Sequence, residues 1–216
     1  IEKGEALMHD VEYDERLKLH PEPYFRQNLL LSKDLSIFYG DRCVANGISL
    51  TLNRGDRIAL VGRNGCGKSS LLKLLIGQPI AHTGTLEIGS RLTVSYVPQD
   101  MSFLSGSADD FAAESEIDIT LFKTILRKLD FKRTQFTKDM SEFSMGQKKK
   151  VLLARSLCQR ANLYIWDEPL TYIDVISRLQ IETLILEYKP TMLFVEHDEA
   201  FVNDIATKVC RISLNQ

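Results

Sequence analysis

Apolar positions along this chain recur with two periods, and the switches between them mark out the expected elements. Leu29–Phe38, Gly47–Leu52 and Thr85–Val97 are rich in β-branched and aromatic residues, with turn formers such as Tyr39-Gly40-Asp41 and Asn53-Arg54-Gly55-Asp56 between them. That pattern predicts a mostly antiparallel sheet near the N-terminus. Arg57–Val61, Leu163–Trp166 and Met192–Val195 are short apolar runs, each followed by polar residues and separated by helix-length segments. Such runs are expected of parallel strands covered on both faces. Helical spacing predicts helices over Ser69–Ile76, closed by Gly77, over Gly146–Gln159, and over Asp174–Tyr188 with its apolar Ile176, Leu179, Leu184 and Ile185, stopping before Pro190. Leu121, Ile125, Leu126 and Leu129 at helical spacing place a small helical subdomain at about residues 100–160. The expected class is α/β, with a mainly parallel core sheet, an N-terminal antiparallel β-subdomain and the helical subdomain.

Residues 1–28 are charged and lack a strand pattern. Leu7, Val11, Leu17 and Leu19 make a weak apolar stripe, and Pro21 and Pro23 stop any helix there. This reads as a solvated linker end, leading into a domain over 29–216. The chain opens on Ile1 rather than Met, as expected of a piece of a longer protein. With 27 basic against 29 acidic residues among 216, a net charge of −2 argues against a surface devoted wholly to nucleic acid. No run approaches the roughly 18 uninterrupted apolar residues of a membrane span, and no signal peptide opens the chain. Cys43, Cys66, Cys158 and Cys210 are scattered without a Cys-x-x-Cys pair, which suggests neither a zinc site nor a disulfide framework and fits a reducing cytoplasm.

Candidate chemistry starts at Gly62-Arg63-Asn64-Gly65-Cys66-Gly67-Lys68-Ser69-Ser70, a P-loop pattern between a predicted strand and a predicted helix. Glycines let backbone N–H groups converge on phosphate oxygens and the following helix points its positive end at them. Lys68 adds a charge, and Ser69 offers a hydroxyl to Mg²⁺. A second hard oxygen ligand is needed for a phosphate-bridging Mg²⁺. Leu163-Tyr164-Ile165-Trp166-Asp167-Glu168 supplies it about a hundred residues downstream: Asp167 at the end of a buried strand for the metal shell, and Glu168 to accept a proton from the attacking water.

Phe143-Ser144-Met145-Gly146-Gln147, followed by Lys148-Lys149-Lys150 and an apolar helix, resembles the signature motif of ABC-type ATPases, with Met145 where the family usually has glycine. Taken alone it is a Ser-capped helix start. The other family positions resemble this sequence in order. Tyr39, 23 residues before the P-loop, stands where the family stacks an aromatic on adenine. Gln99 resembles the Q-loop glutamine that touches Mg²⁺ and water, Asp174 the D-loop aspartate, and His197 the switch histidine. Singly, Tyr39 reads as a strand-end aromatic, Gln99 as a loop amide and His197 as a strand-end cap. Together they cover about residues 29–214.

The resemblance implies a cassette that binds ATP and Mg²⁺ and works as half of a pair. The P-loop of one cassette would be covered in trans by Ser144, Gly146, Gln147 and Asp174 of the other. Within the family the sequence resembles the C-terminal cassette of an ABC-F protein of the antibiotic-resistance, ribosome-protecting group, whose linker would end in residues 1–28. Thr171 departs from that group's usual Asn. Two other readings share these motifs: the energising subunit of a membrane transporter, with 99–144 forming its docking groove, and a nonhydrolytic ATP-dependent clamp if Met145 spoils the trans contact. The three lysines after the signature read as a solvated face or as a contact for rRNA phosphate.

Overall fold

The computed structural model describes residues 17–213. In chain order the strands are β1 (His20–Pro21), β2 (Asn28–Tyr39), β3 (Arg42–Asn53), β4 (Arg57–Val61), β5 (Ala81–Ile88), β6 (Val94–Val97), β7 (Arg160–Ala161), β8 (Leu163–Asp167), β9 (Met192–Val195) and β10 (Lys208–Arg211). The helices are α1 (Lys68–Leu75), α2 (Ala108–Glu114), α3 (Ile119–Lys128), α4 (Met145–Cys158), α5 (Val175–Tyr188) and α6 (Glu199–Ile205). Five strands form a parallel sheet in the order β10-β4-β9-β8-β6, and β3-β2-β5 form an antiparallel sheet.

The core follows from the two-residue period of a strand. Along the parallel strands, Ala59, Tyr164, Trp166, Met192 and Phe194 face one hydrophobic cluster, shared with α2, α3, α4 and α6. The alternate residues Ile58, Leu60, Leu163, Ile165, Leu193 and Val195 face a second cluster, shared with α1 and the antiparallel sheet. A strand buried on both faces has no polar position to offer, which is why these segments are continuous apolar runs.

Several expectations are corrected. Thr85–Val97 is not one antiparallel strand: β5 ends at Ile88, and Val94–Val97 joins the parallel sheet beside β8. The break falls at Gly89, whose N–H donates to the Leu29 carbonyl and where a side chain would run into the Tyr24 ring. Leu121 lies outward and Phe122 takes the core position beside Ile125, Leu126 and Leu129. On α5 it is Ile181, Leu184 and Ile185 that are buried, whereas Ile176 is 73% and Leu179 56% exposed.

The segment expected to be solvated up to Asn28 is packed on the core from Leu17 onward. Leu17, Leu19 and Tyr24 are buried, β1 pairs with β7, and the Glu22 N–H donates to the Ala161 carbonyl at 2.8 Å. Pro21 and Pro23 exclude a helix here, and the extended backbone they favour is what lets alternate side chains reach the core. Leu7 and Val11 lie outside the described residues.

Candidate functional site

The P-loop leaves β4 and enters α1 through residues that only glycine fits. Gly67 has φ +88°, and a Cβ there would stand 2.6 Å from the Ala45 Cβ and 2.7 Å from the Val44 carbonyl oxygen. Gly65 has φ +78°. Both values lie in the left-handed region that L-side chains avoid. A side chain on Gly62 would collide with the Ile212 carbonyl and stand 2.7 Å from the Cys66 Sγ. The buried Lys68 folds back over this loop, its Nζ donating to the carbonyls of Gly62 at 2.9 Å and Arg63 at 3.1 Å.

Asp167 closes β8 and is 1% exposed, with neither carboxylate oxygen within hydrogen-bond reach of a donor. Burial pushes its pKa up. The Ser69 hydroxyl opposes the rise without closing a hydrogen bond, the Glu168 charge adds to it, and Lys149 and Lys68 oppose it. Unpartnered buried carboxylate oxygens call for a partner. Here the carboxylate sits beside a hydroxyl at the mouth of a phosphate loop, an oxygen set that suits Mg²⁺. Among the described residues no three His, Cys, Asp or Glu side chains cluster as a protein-only metal site, so phosphate oxygens and water would complete the ion's shell.

Glu168 follows directly and has φ +51°. A non-glycine residue there is held by its surroundings: its N–H donates to the Val195 carbonyl at 3.0 Å, and its Oε2 accepts from the Thr171 hydroxyl at 3.3 Å. The His197 Nε2 lies 3.4 Å from the Glu168 Oε1. Lys68, Ser69, Ser70, Asn64, Gly65, Gly67, Gln99, Glu168 and His197 line one open cleft of about 580 Å³, with Arg42 and Val44 from β3. It opens where β4, β6, β8 and β9 end, the edge at which parallel sheets bind ligands.

Other candidates lie elsewhere. Arg63 is exposed outside the lining, and Cys66 is 3% exposed with its thiol in the core beneath the loop. Alkylation of Cys66 in the native protein is therefore expected to be about tenfold or more slower than in denaturant, and slower again with MgATP. Labelling followed by mass spectrometry checks this, and native labelling as fast as in denaturant would contradict it. Tyr39 is exposed at the end of β2, paired with Arg42 across the hairpin. Ser144, Gly146 and Gln147 form the N-terminus of α4, outside the cleft. The Ser144 Oγ accepts from the Gln147 N–H at 3.3 Å, the Gln147 Oε1 accepts from the Ser144 N–H at 2.9 Å, and Met145 is exposed. A Cβ on Gly146 would stand 2.7 Å from the Tyr172 carbonyl oxygen, so the D-loop of the same chain already requires this glycine.

Asp174 is occupied within its own chain. It accepts from the Ser177 N–H at 2.9 Å and from the Ser177 hydroxyl at 2.8 Å, and pairs with the Lys150 Nζ at 2.6 Å. Burial alone would raise its pKa, but the Lys150 ammonium and the Ser177 donors hold the carboxyl well below the usual range. The lysine run is not a solvated face: Lys149 is 1% exposed and Lys150 is buried. The Lys149 Nζ donates to the carbonyls of Pro98 at 3.2 Å and Asp167 at 3.4 Å. Burial lowers its pKa, and the Asp167, Glu168 and Glu196 carboxylates counter that fall.

Glu196 went unread in the sequence. It is buried, and its Oε1 accepts from the His197 N–H at 2.8 Å while its Oε2 accepts from the Leu170 N–H at 3.2 Å, joining the switch and D-loop backbones. The signal was available, since a carboxylate directly after the apolar run Met192–Val195 repeats the arrangement at Asp167. Arg42, across the hairpin from Tyr39, gave no such sign.

The family described as "ABC transporter" matches residues 45–171, a span that holds the P-loop, Gln99, the signature and Asp167-Glu168. YdiF of Bacillus subtilis (strain 168) is 35% identical over 193 residues, covering 86% of this chain and 30% of that protein. The ribosome protection protein VmlR of the same organism is 26% identical over 218 residues, covering 100% of this chain and 40% of its own length. ATP-binding protein Uup of Caulobacter vibrioides (strain ATCC 19089 / CIP 103742 / CB 15) is 31% identical over 185 residues, covering 82% and 30%. The chain thus spans less than half the length of these curated relatives. Among solved structures, an ATP-binding subunit of an ABC transporter superposes with a TM-score of 0.70 at 22% identity, over 86% of this chain and 88% of that one. A bacterial Atm1-family ABC exporter with ATP bound gives 0.74 at 18%, over 91% and 39%. These two likenesses speak to the fold, while the family match runs through the motifs that build the cleft: the chain belongs to the ABC family of ATP-binding cassettes.

Proposed function

We propose that the chain is one cassette of an ABC-F protein, binding and hydrolysing MgATP at this cleft while paired with a second cassette, and acting on the ribosome in the cytoplasm. The observation that carries the ATPase reading is the convergence of Lys68, Ser69, Gln99, Glu168 and His197, drawn from four separated motifs, on one cleft. In that reading the P-loop amides and Lys68 bind the phosphates. The Glu168 carboxylate accepts a proton from the water that attacks in line, His197 braces Glu168, and Gln99 orients the water. Ser69, Asp167 and Gln99 would hold Mg²⁺, which would supply positive charge to the phosphate oxygens. Ser144, Gly146, Gln147 and Asp174 of the second cassette would close the site. Asp174, tied to Lys150 and Ser177 in its own chain, contributes there through the D-loop backbone it anchors.

Ribosome action is supported by the likeness to the ribosome protection protein VmlR along the whole chain, and the F-branch reading by the relative "ABC transporter F family member 2" of Arabidopsis thaliana. Residues 1–16 would belong to the linker between cassettes. No helix among the described residues is long and apolar enough to cross a membrane. Co-sedimentation with ribosomes tests the reading, using the Glu168→Gln form with ATP and with ADP at several salt concentrations. ATP-dependent ribosome association is expected. Its absence, together with ATP-dependent capture by a transmembrane partner, would assign the cassette to a transporter.

A further inference from the structure

We propose that Lys149 is a positioning residue for ATP hydrolysis: its single ammonium group holds the carbonyls immediately before Gln99 and Glu168 and ties both to the signature helix. This rests on the ATPase reading of the cleft. The β6–β8 ladder ends at the pair Val97–Trp166. Pro98 and Asp167 follow on the two chain segments. Beyond that point the two chain segments carry Gln99 and Glu168, both of which line the cleft. The Lys149 Nζ bridges the gap, donating to the Pro98 and Asp167 carbonyls.

Packing alone does not call for a lysine there. The following residues of α4, Val151, Leu152 and Leu153, are fully buried hydrocarbon, and Lys149 itself is 1% exposed. Burying an ammonium group is costly, and a hydrocarbon of similar volume is often as good or better for stability. What hydrocarbon cannot do is hold two carbonyls. Ser144, Gly146 and Gln147 begin the same helix, so one rigid element joins the trans-facing signature to the two residues that act in cis. Displacements of about 1 Å at such positions cost about 10² in rate.

The test replaces Lys149 by Met, which keeps the length of the side chain but not its donors, in the full chain. Lys149→Gln is a second variant, and Lys148→Met is the neighbouring control. Thermal melting, ATP affinity by calorimetry in EDTA and in Mg²⁺, kcat, and the Mg²⁺ concentration for half-maximal activity are compared. Expected for Lys149→Met are a folded protein, ATP affinity in EDTA within about twofold of the parent, a kcat lower by about 10- to 100-fold, and a raised Mg²⁺ requirement. Lys148→Met should match the parent in all of these. A folded Lys149 variant with unchanged kcat and Mg²⁺ requirement would overturn the proposal. So would equal losses of ATP affinity in EDTA and of rate, or failure of both Lys149 variants to fold, since these mark a purely structural residue. A parent chain that binds no ATP in either condition refutes the cleft assignment instead.

Discussion

Replacing Glu168 by Gln is expected to lower ATP hydrolysis by about 10² or more while MgATP binding persists. The substitution preserves side-chain volume. The left-handed backbone of Glu168 and its N–H donation to the Val195 carbonyl do not involve the carboxyl group, so the residue stays where it is. One of the acceptors that now receive the Thr171 hydroxyl and face the His197 Nε2 becomes a donor. The side chain is 18% exposed and can turn to re-pair at small cost. What is lost is the capacity to take a proton from water. If ATP is shared between two cassettes as proposed, it would contact both only in their closed arrangement, and blocked turnover should also shift the population toward the closed pair. Single-turnover hydrolysis measured beside equilibrium ATP binding checks both parts, and a near-normal rate would remove Glu168 from the chemistry.

Lys68→Ala should weaken ATP binding by about ten- to a hundredfold, the loss expected from one hydrogen bond to a charged group at about 1.5–3 kcal/mol. Without ligand the Nζ donates to the Gly62 and Arg63 carbonyls, and those carbonyls stand at the exposed start of the loop, where water can replace the lysine. Thermal stability should therefore change little while affinity falls. Calorimetry at matched Mg²⁺ is the measurement, and unchanged affinity would remove Lys68 from the phosphate cradle.

Local chemistry was legible wherever a few consecutive residues must cooperate. The spacing of Gly62, Gly67, Lys68 and Ser69 is set by backbone angles and by one turn of helix, so reading the chain was enough to place the loop. The parallel strands were equally plain, since burial on both faces demands hydrocarbon at every position. Asp167 and Glu168 stood out because charge directly after such a run has to lie at a sheet edge.

Side-chain environment across elements was not legible in this way. Lys149 and Lys150 occur in a run that any reading of charge would send to solvent. Their burial depends on the carbonyls of Pro98 and Asp167 and on the Asp174 carboxylate, brought to them from up to 51 positions away. Val94–Val97 has the composition of either sheet, and its parallel pairing with Leu163–Trp166 joins segments far apart along the chain. The outward turn of Ile176 and Leu179 on α5 likewise reflects what packs on the other side of that helix. Backbone angles and strand periods are properties of neighbouring residues and can be read in order. Which polar group meets which, and which face is left uncovered, depends on distances that exist only once the chain has folded.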